Sequence, residues 1–225
     1  MRMDFEGYKN QGIHVDIALF TVEDGVVKTL LVKRSNEQFI GDWIIPGGGV
    51  YNDESLDTAA KRELLEKTGI KNIFMEQFHA FGDPKRDPRK RMVSVAYFAL
   101  IDAKKFHLLT KTQKTSDAYW ADIRKLPKLG FDHDKILKLA IKSLRNKLLN
   151  TNLAYSIMPD EFTLPELQKI YEILLEKKLD RRNFRRKFLG LGLIRSTGET
   201  IIGGAYRPAN LYKFTSKKYQ EIDIY

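Results

Sequence analysis

GGGVYNDESLDTAAKRELLEKTGI, residues 47–70, decides the fold. Three glycines make a turn, an acidic loop follows, and from Ser55 onward the residues favour a helix. Ser55 suits the N-cap, where a side-chain oxygen accepts a backbone N–H of the first turn. Gly69 suits the left-handed position just past the helix end. Glu63 and Glu66 stand three apart and so share one helix face, with Glu54 in the loop ahead of them. Hard divalent cations such as Mg²⁺ take several oxygen ligands, a kind of donor that clustered carboxylates supply.

From Gly48 the spacing is five residues, Glu54, seven residues, then Arg62-Glu63-Leu64-Leu65-Glu66-Lys67-Thr68-Gly69-Ile70. This resembles the signature of the Nudix hydrolases, which reads G, five residues, E, seven residues, then R-E-U-x-E-E-x-G-U with U aliphatic. Lys67 is the one departure, standing where the family has the last Glu of its pair. The resemblance implies an α/β (α+β) Nudix-type α/β/α sandwich with a mixed sheet. It also implies a diphosphate ligand near Gly48, Gly49, Glu54 and Arg62, with Mg²⁺ on Glu63 and Glu66, which in an active enzyme would be the catalytic carboxylates. Lys67 bears on that chemistry. Glu63 and Lys67 are four apart with the acid N-terminal, the favourable order for a helical ion pair. An ammonium there repels Mg²⁺, so hydrolysis is expected to be weak or absent and the pocket to be kept for binding. In the alternative reading Lys67 points outward and other acids complete the site.

Outward from this box, residues 14–21 (HVDIALFT) and 27–34 (VKTLLVKR) read as strands around Asp24-Gly25, a strong hairpin signal. Trp43-Ile44-Ile45, residues 72–81, MVSVAYFAL (92–100) and AYWADI (118–123) supply further extended pieces. Residues 133–149 carry apolar side chains at helical spacing. The loop GDPKRDPRKR (82–91) holds five cations, and guanidinium forks suit phosphate, so Arg86, Arg89 and Arg91 are candidate ligand contacts. GDPxRDPR followed by SVAY, with Phe131-Asp132-His133 later, resembles the ADP-ribose-oriented branch of the Nudix family. His133 has two readings, helix cap or ligand contact. Trp43 and Trp120 likewise have two, core packing or base stacking.

The character changes after Asn150, giving expected domains of 1–150 and 151–225. Thr163, with Pro165 and Glu166 behind it, opens one helix, and Asp180 opens a second, DRRNFRRKF. Phe184, Phe188 and Leu189 are its expected inward face. Arg181, Arg182, Asn183, Arg185, Arg186 and Lys187 are candidate DNA contacts, with Arg207 on a following β-hairpin wing. Helix, turn, basic helix and hairpin is the order of a winged helix-turn-helix. The net charge of +10 over 225 residues is compatible with a polyanionic partner.

TLPELQKIYE, DRRNFRRKF and GGAYRPANLYKF resemble the C-terminal pattern of Nudix-related transcriptional regulators. That resemblance implies a homodimer that senses ADP-ribose, a related nucleotide or a sugar and binds double-stranded operator DNA. The competing expectation is a Mg²⁺-dependent pyrophosphohydrolase acting on ADP-ribose or a related nucleoside diphosphate derivative. The absence of cysteine excludes disulfides and thiolate metal sites. No run of about 18 apolar residues is present to span a bilayer, and a cytoplasmic location is expected.

Overall fold

The computed structural model describes residues 11–35, 40–201 and 208–222. The chain divides into two units. One comprises Lys28–Ala99, Lys104–Ile141 and the chain up to Phe20; the other comprises Thr21–Val27, Leu100–Ala103 and the chain from Lys142 onward.

Strand β1 (Gly12–Glu23) turns into β2 (Val26–Arg34) at Asp24-Gly25. Both turn residues have positive φ, 53° and 75°, the geometry whose twist matches that of the flanking strands. Then follow β3 (Trp43–Ile44), β4 (Gly47–Gly49), α1 (Leu56–Thr68), β5 (Glu76–Phe81), β6 (Met92–Leu100), β7 (Thr115–Asp122) and α2 (His133–Asn150). The seven-stranded sheet runs β3-β2-β1-β6-β5, with β4 paired to β1 and β7 paired to β2. Val15 and Ile17 of β1 cluster with Ala59 and Ala60 of α1 and with Val95 and Tyr97 of β6, which pins the helix to the sheet. Strand side chains alternate between faces, so His14 and Asp16 point away from that cluster. The alternation frees two polar side chains for a site. At the helix ends, Ser55 accepts from the Thr58 N–H and Gly69 takes φ +77°, as the sequence predicts.

In the second unit, Thr163 and Glu166 form a reciprocal capping box at the start of α3 (Leu164–Leu175). Asp180 accepts from the Asn183 N–H to open α4 (Arg181–Gly190). Tyr171 of α3 packs edge-on against Phe184 and Phe188 of α4, with centroids 5.5 and 5.1 Å away, and the two phenylalanines stack at 4.4 Å. All three are essentially buried, each burial being worth about 2–3 kcal/mol. Strands β9 (Ile194–Ile201) and β10 (Ala209–Phe214) form the hairpin, and a short β8 (Phe162–Thr163) just ahead of α3 pairs with β10. Leu189 does not join the inward face. It is 39% exposed, because a residue one step past Phe188 is turned about 100° around the helix. Arg207 lies outside the described residues. Among the described residues no helix is long and apolar enough to cross a membrane.

Candidate functional site

The glycine turn and α1 are tied together by Arg62. Its Nε and Nη2 donate to the two carboxylate oxygens of Glu54 at 2.9 and 2.5 Å, and Nη2 also donates to the Gly49 carbonyl at 2.8 Å. Nη1 donates to Glu63 at 2.6 Å and to Glu66 at 3.3 Å, and the guanidinium lies 4.0 Å from the centre of the Tyr51 ring. Glu54 accepts in addition from the Tyr51 N–H. The hydrogen bonds from Arg62 hold the Glu54 carboxyl down to about 2. Glu54 and Arg62, expected beside a ligand, form a structural clasp, with all the Arg62 nitrogens donating to protein oxygens.

Glu63 is buried, and three cations surround it: Arg62, Lys114 at 3.2 Å and Lys67 at 3.5 Å. Lys67 points inward, donating to the Gly47 carbonyl, which rules out the outward reading. Burial lowers its pKa, opposed by the charges of Glu63 and Asp16. Gly48 is glycine for a steric reason, since a Cβ there would collide with the Glu63 carboxylate. Lys114, on the loop before β7, bridges Glu63 to Glu66, which it meets at 2.5 Å. Glu63 and Glu66 therefore each already face a protein cation. Among the described residues no group of three or more His, Asp or Glu is placed to hold a metal ion. The donor set does not fit Mg²⁺.

The arginine loop divides its work. Arg86 is buried and donates through Nε and Nη2 to both oxygens of Asp132 at 3.1 and 2.8 Å, while Nη2 also meets Asp16 at 3.1 Å. Ser94 donates to the same Asp16 oxygen at 2.5 Å. Burial pushes the Asp16 carboxyl up, but His133, the Ser94 hydroxyl and Arg86 together bring it below its ordinary value. His133 accepts the Ile45 N–H on Nδ1 at 3.1 Å, and its Nε2 lies 3.6 Å from Asp16. A ring nitrogen that accepts carries no proton, so His133 is the neutral Nε2–H tautomer, and burial lowers its pKa in keeping with that. It braces the pocket wall and is not a helix cap. Arg91 hydrogen-bonds the Gly82 and Met92 carbonyls and stands outside the pocket.

These groups enclose a cavity of about 230 Å³. Its walls include Gly48, Gly49, Glu63, Arg86 and Arg89 from the expected set, and Gly47, Lys67, His14, Asp16, Arg34, Lys114 and Phe131 besides. Phe131 has φ +57°, an unusual conformation for a bulky residue and one that concentrates at functional sites. It presents its ring to two guanidiniums, Arg34 at 5.6 Å and Arg89 at 5.2 Å. Asp87 in turn grips Arg89 at 2.5 and 2.8 Å. The result is a small, mostly polar pocket with an excess of positive charge and one aromatic wall, suited to a phosphorylated ligand. Neither Trp43 nor Trp120 lines it. Trp43 instead packs edge-on against Tyr119 at 4.6 Å.

A second candidate surface lies on α4. The i, i+4 pair Phe184 and Phe188 is buried, which leaves Arg181, Arg182, Asn183, Arg185 and Arg186 exposed and Lys187 half-buried. Arg186 donates to the Asn183 side chain at 2.9 Å, so the two present a joined polar edge. Exposed arginines and an asparagine on the second helix of a helix-turn-helix are the groups that meet phosphates and base edges in a major groove.

Comparison with known proteins agrees with this division. Residues 12–140 match the NUDIX domain family and residues 154–214 match the NrtR DNA-binding winged helix domain. The ADPR responsive transcriptional repressor NtrR of Acinetobacter baylyi is 40% identical over 216 residues, covering 94% of this chain and 85% of that protein. The crystal structure of Shewanella oneidensis NrtR complexed with a 27mer DNA superposes with a TM-score of 0.77 at 35% identity, covering 90% of this chain and 93% of that one. The NUDIX domain of the same Shewanella protein, in cocrystals with ADP ribose, matches 64% of this chain and 94% of its own at 35% identity and a TM-score of 0.56. The expected order of a mixed Nudix-type sheet with helices and then a winged helix is thereby established, and the chain belongs to the family of Nudix-related transcriptional regulators that join a NUDIX domain to an NrtR-type winged helix.

Proposed function

We propose that this protein is a DNA-binding transcriptional repressor whose Nudix-like domain, residues 1–150, senses ADP-ribose and whose winged helix, residues 151–225, binds operator DNA. One observation carries the reading: Glu63, where a hydrolase needs a metal-facing carboxylate, is shared by three protein cations, while α4 leaves its arginines exposed. The likeness to a repressor named for its response to ADPR and to a structure holding DNA supports it. The pocket recognises the diphosphate of the ligand through Lys67, Arg89 and Lys114, and Phe131 offers an apolar wall. Arg86 acts mainly as an internal brace. The working form is a homodimer in the cytoplasm, each α4 entering a major groove of one half-site. ADP-ribose weakens DNA binding by favouring an arrangement of the dimer in which the two helices no longer match the half-site spacing.

The test is binding of the full chain to labelled DNA from upstream of its own gene. Salt-sensitive, sequence-preferring binding that ADP-ribose reduces is expected. Binding without sequence preference contradicts the regulator reading. Release of AMP from ADP-ribose at enzymatic rates would support the hydrolase instead.

A further inference from the structure

We infer that Lys67 and Lys114 do for a bound diphosphate what a divalent metal does in a hydrolytic Nudix site, so that this pocket takes its ligand without metal. The inference rests on the reading of the cavity as an ADP-ribose site and adds how that site is charged. The two lysines come from distant parts of the chain, α1 and the loop before β7, and converge on one buried carboxylate. Both line the cavity. Glu63 Oε2 is buried with no hydrogen-bond partner, and the Lys67 ammonium faces it only at ion-pair distance, 3.5 Å. A cation coordinated to that oxygen would have to share it with an ammonium.

The charge of the cavity fits the same reading. Five cations and three carboxylates line it, and two of the cations also lean on carboxylates behind the wall, Arg86 on Asp132 and Lys114 on Glu66. A diphosphate diester carries an ionised oxygen on each phosphorus, and the ammoniums of Lys67 and Lys114 offer a positive charge to each without a metal. Adding Mg²⁺ at Glu63 would set a divalent cation against Lys67 and Lys114 at close range. Replacing Lys67 by glutamate removes the ammonium that faces Glu63 Oε2 and recreates the acidic pair that the Nudix signature carries. The lysine therefore decides whether the site needs metal.

Calorimetric titration of the full-length protein with ADP-ribose, once in EDTA and once in millimolar Mg²⁺, tests this. The natural protein is expected to bind with the same Kd in both buffers. Lys67→Glu is expected to lose binding in EDTA and to regain it in Mg²⁺. Lys114→Gln, on a loop and partly exposed, serves if Lys67→Glu fails to fold, and is expected to weaken binding about tenfold in either buffer, the size of one lost charge-assisted hydrogen bond. Binding by the natural protein that EDTA abolishes overturns the inference, as does unchanged affinity in Lys114→Gln or full affinity of Lys67→Glu in EDTA. Absence of ADP-ribose binding in both buffers would instead overturn the reading of the cavity on which it rests.

Discussion

The Lys67 ammonium lies 3.5 Å from the Glu63 carboxylate, one helical turn away on α1, with both side chains buried. Paired burial is tolerable only while both partners remain, because a lone buried charge keeps its desolvation cost and loses its attraction. Lys67→Ala should therefore destabilise the protein by about 2–3 kcal/mol in urea unfolding. The loss should be smaller in a Glu63→Gln background, where no buried anion is left behind.

Gly48 carries a related prediction. A Cβ at this position would meet the Glu63 carboxylate, which Arg62, Lys67 and Lys114 hold in place. Gly48→Ala must push that carboxylate off its partners. A loss of about 1–3 kcal/mol in unfolding free energy is expected, together with weaker ADP-ribose binding by calorimetry.

Acid should act through the Glu54–Arg62 clasp. The Glu54 carboxyl is held at about 2 in the folded protein against an ordinary value of 4.5. A folded-state value below the unfolded one stabilises above the unfolded value and is lost as pH falls toward the folded one. Melting temperature should accordingly drop between about pH 4.5 and 2, and Glu54→Gln should drop less steeply over that interval than the natural protein.

The arginines of α4 should separate affinity from stability. Arg182→Ala or Arg185→Ala removes an exposed cation, so the melting temperature should stay put. DNA affinity should fall by about 1–3 kcal/mol where a base edge is read, and the salt slope should shrink by about one where a phosphate is met. Phe188→Ala should do the opposite first, lowering stability by about 3–5 kcal/mol through the emptied contact with Tyr171 and Phe184.

What the sequence made legible follows the range over which each signal acts. Ser55, Gly69, Asp24-Gly25, Thr163-Glu166 and Asp180 are local devices, each with its partner within a few residues, and each appears in the structure in its expected role. The inward turn of Lys67 was readable as one option because Glu63 is a single helical turn away. Lys114 was not readable. It belongs to no motif, and it reaches Glu63 from 51 residues away. The same holds for Asp16, which meets Arg86 across 70 residues. Arg86 looked like a ligand contact because the sequence shows an arginine in a basic loop and cannot show two aspartates closing on it. Leu189 was misplaced because an apolar residue beside the α4 stripe reads as part of it until the helix is seen to turn it outward.

Linkage between the two halves is the central claim, and it requires that ADP-ribose and DNA oppose each other reciprocally. The direct measurement is the Kd of the full-length protein for its upstream DNA by fluorescence anisotropy, without and with saturating ADP-ribose, at one fixed salt concentration. The account predicts affinity lower by about 5–150-fold with ADP-ribose present. Equal affinity in the two titrations, with ADP-ribose binding confirmed calorimetrically in the same buffer, would contradict it.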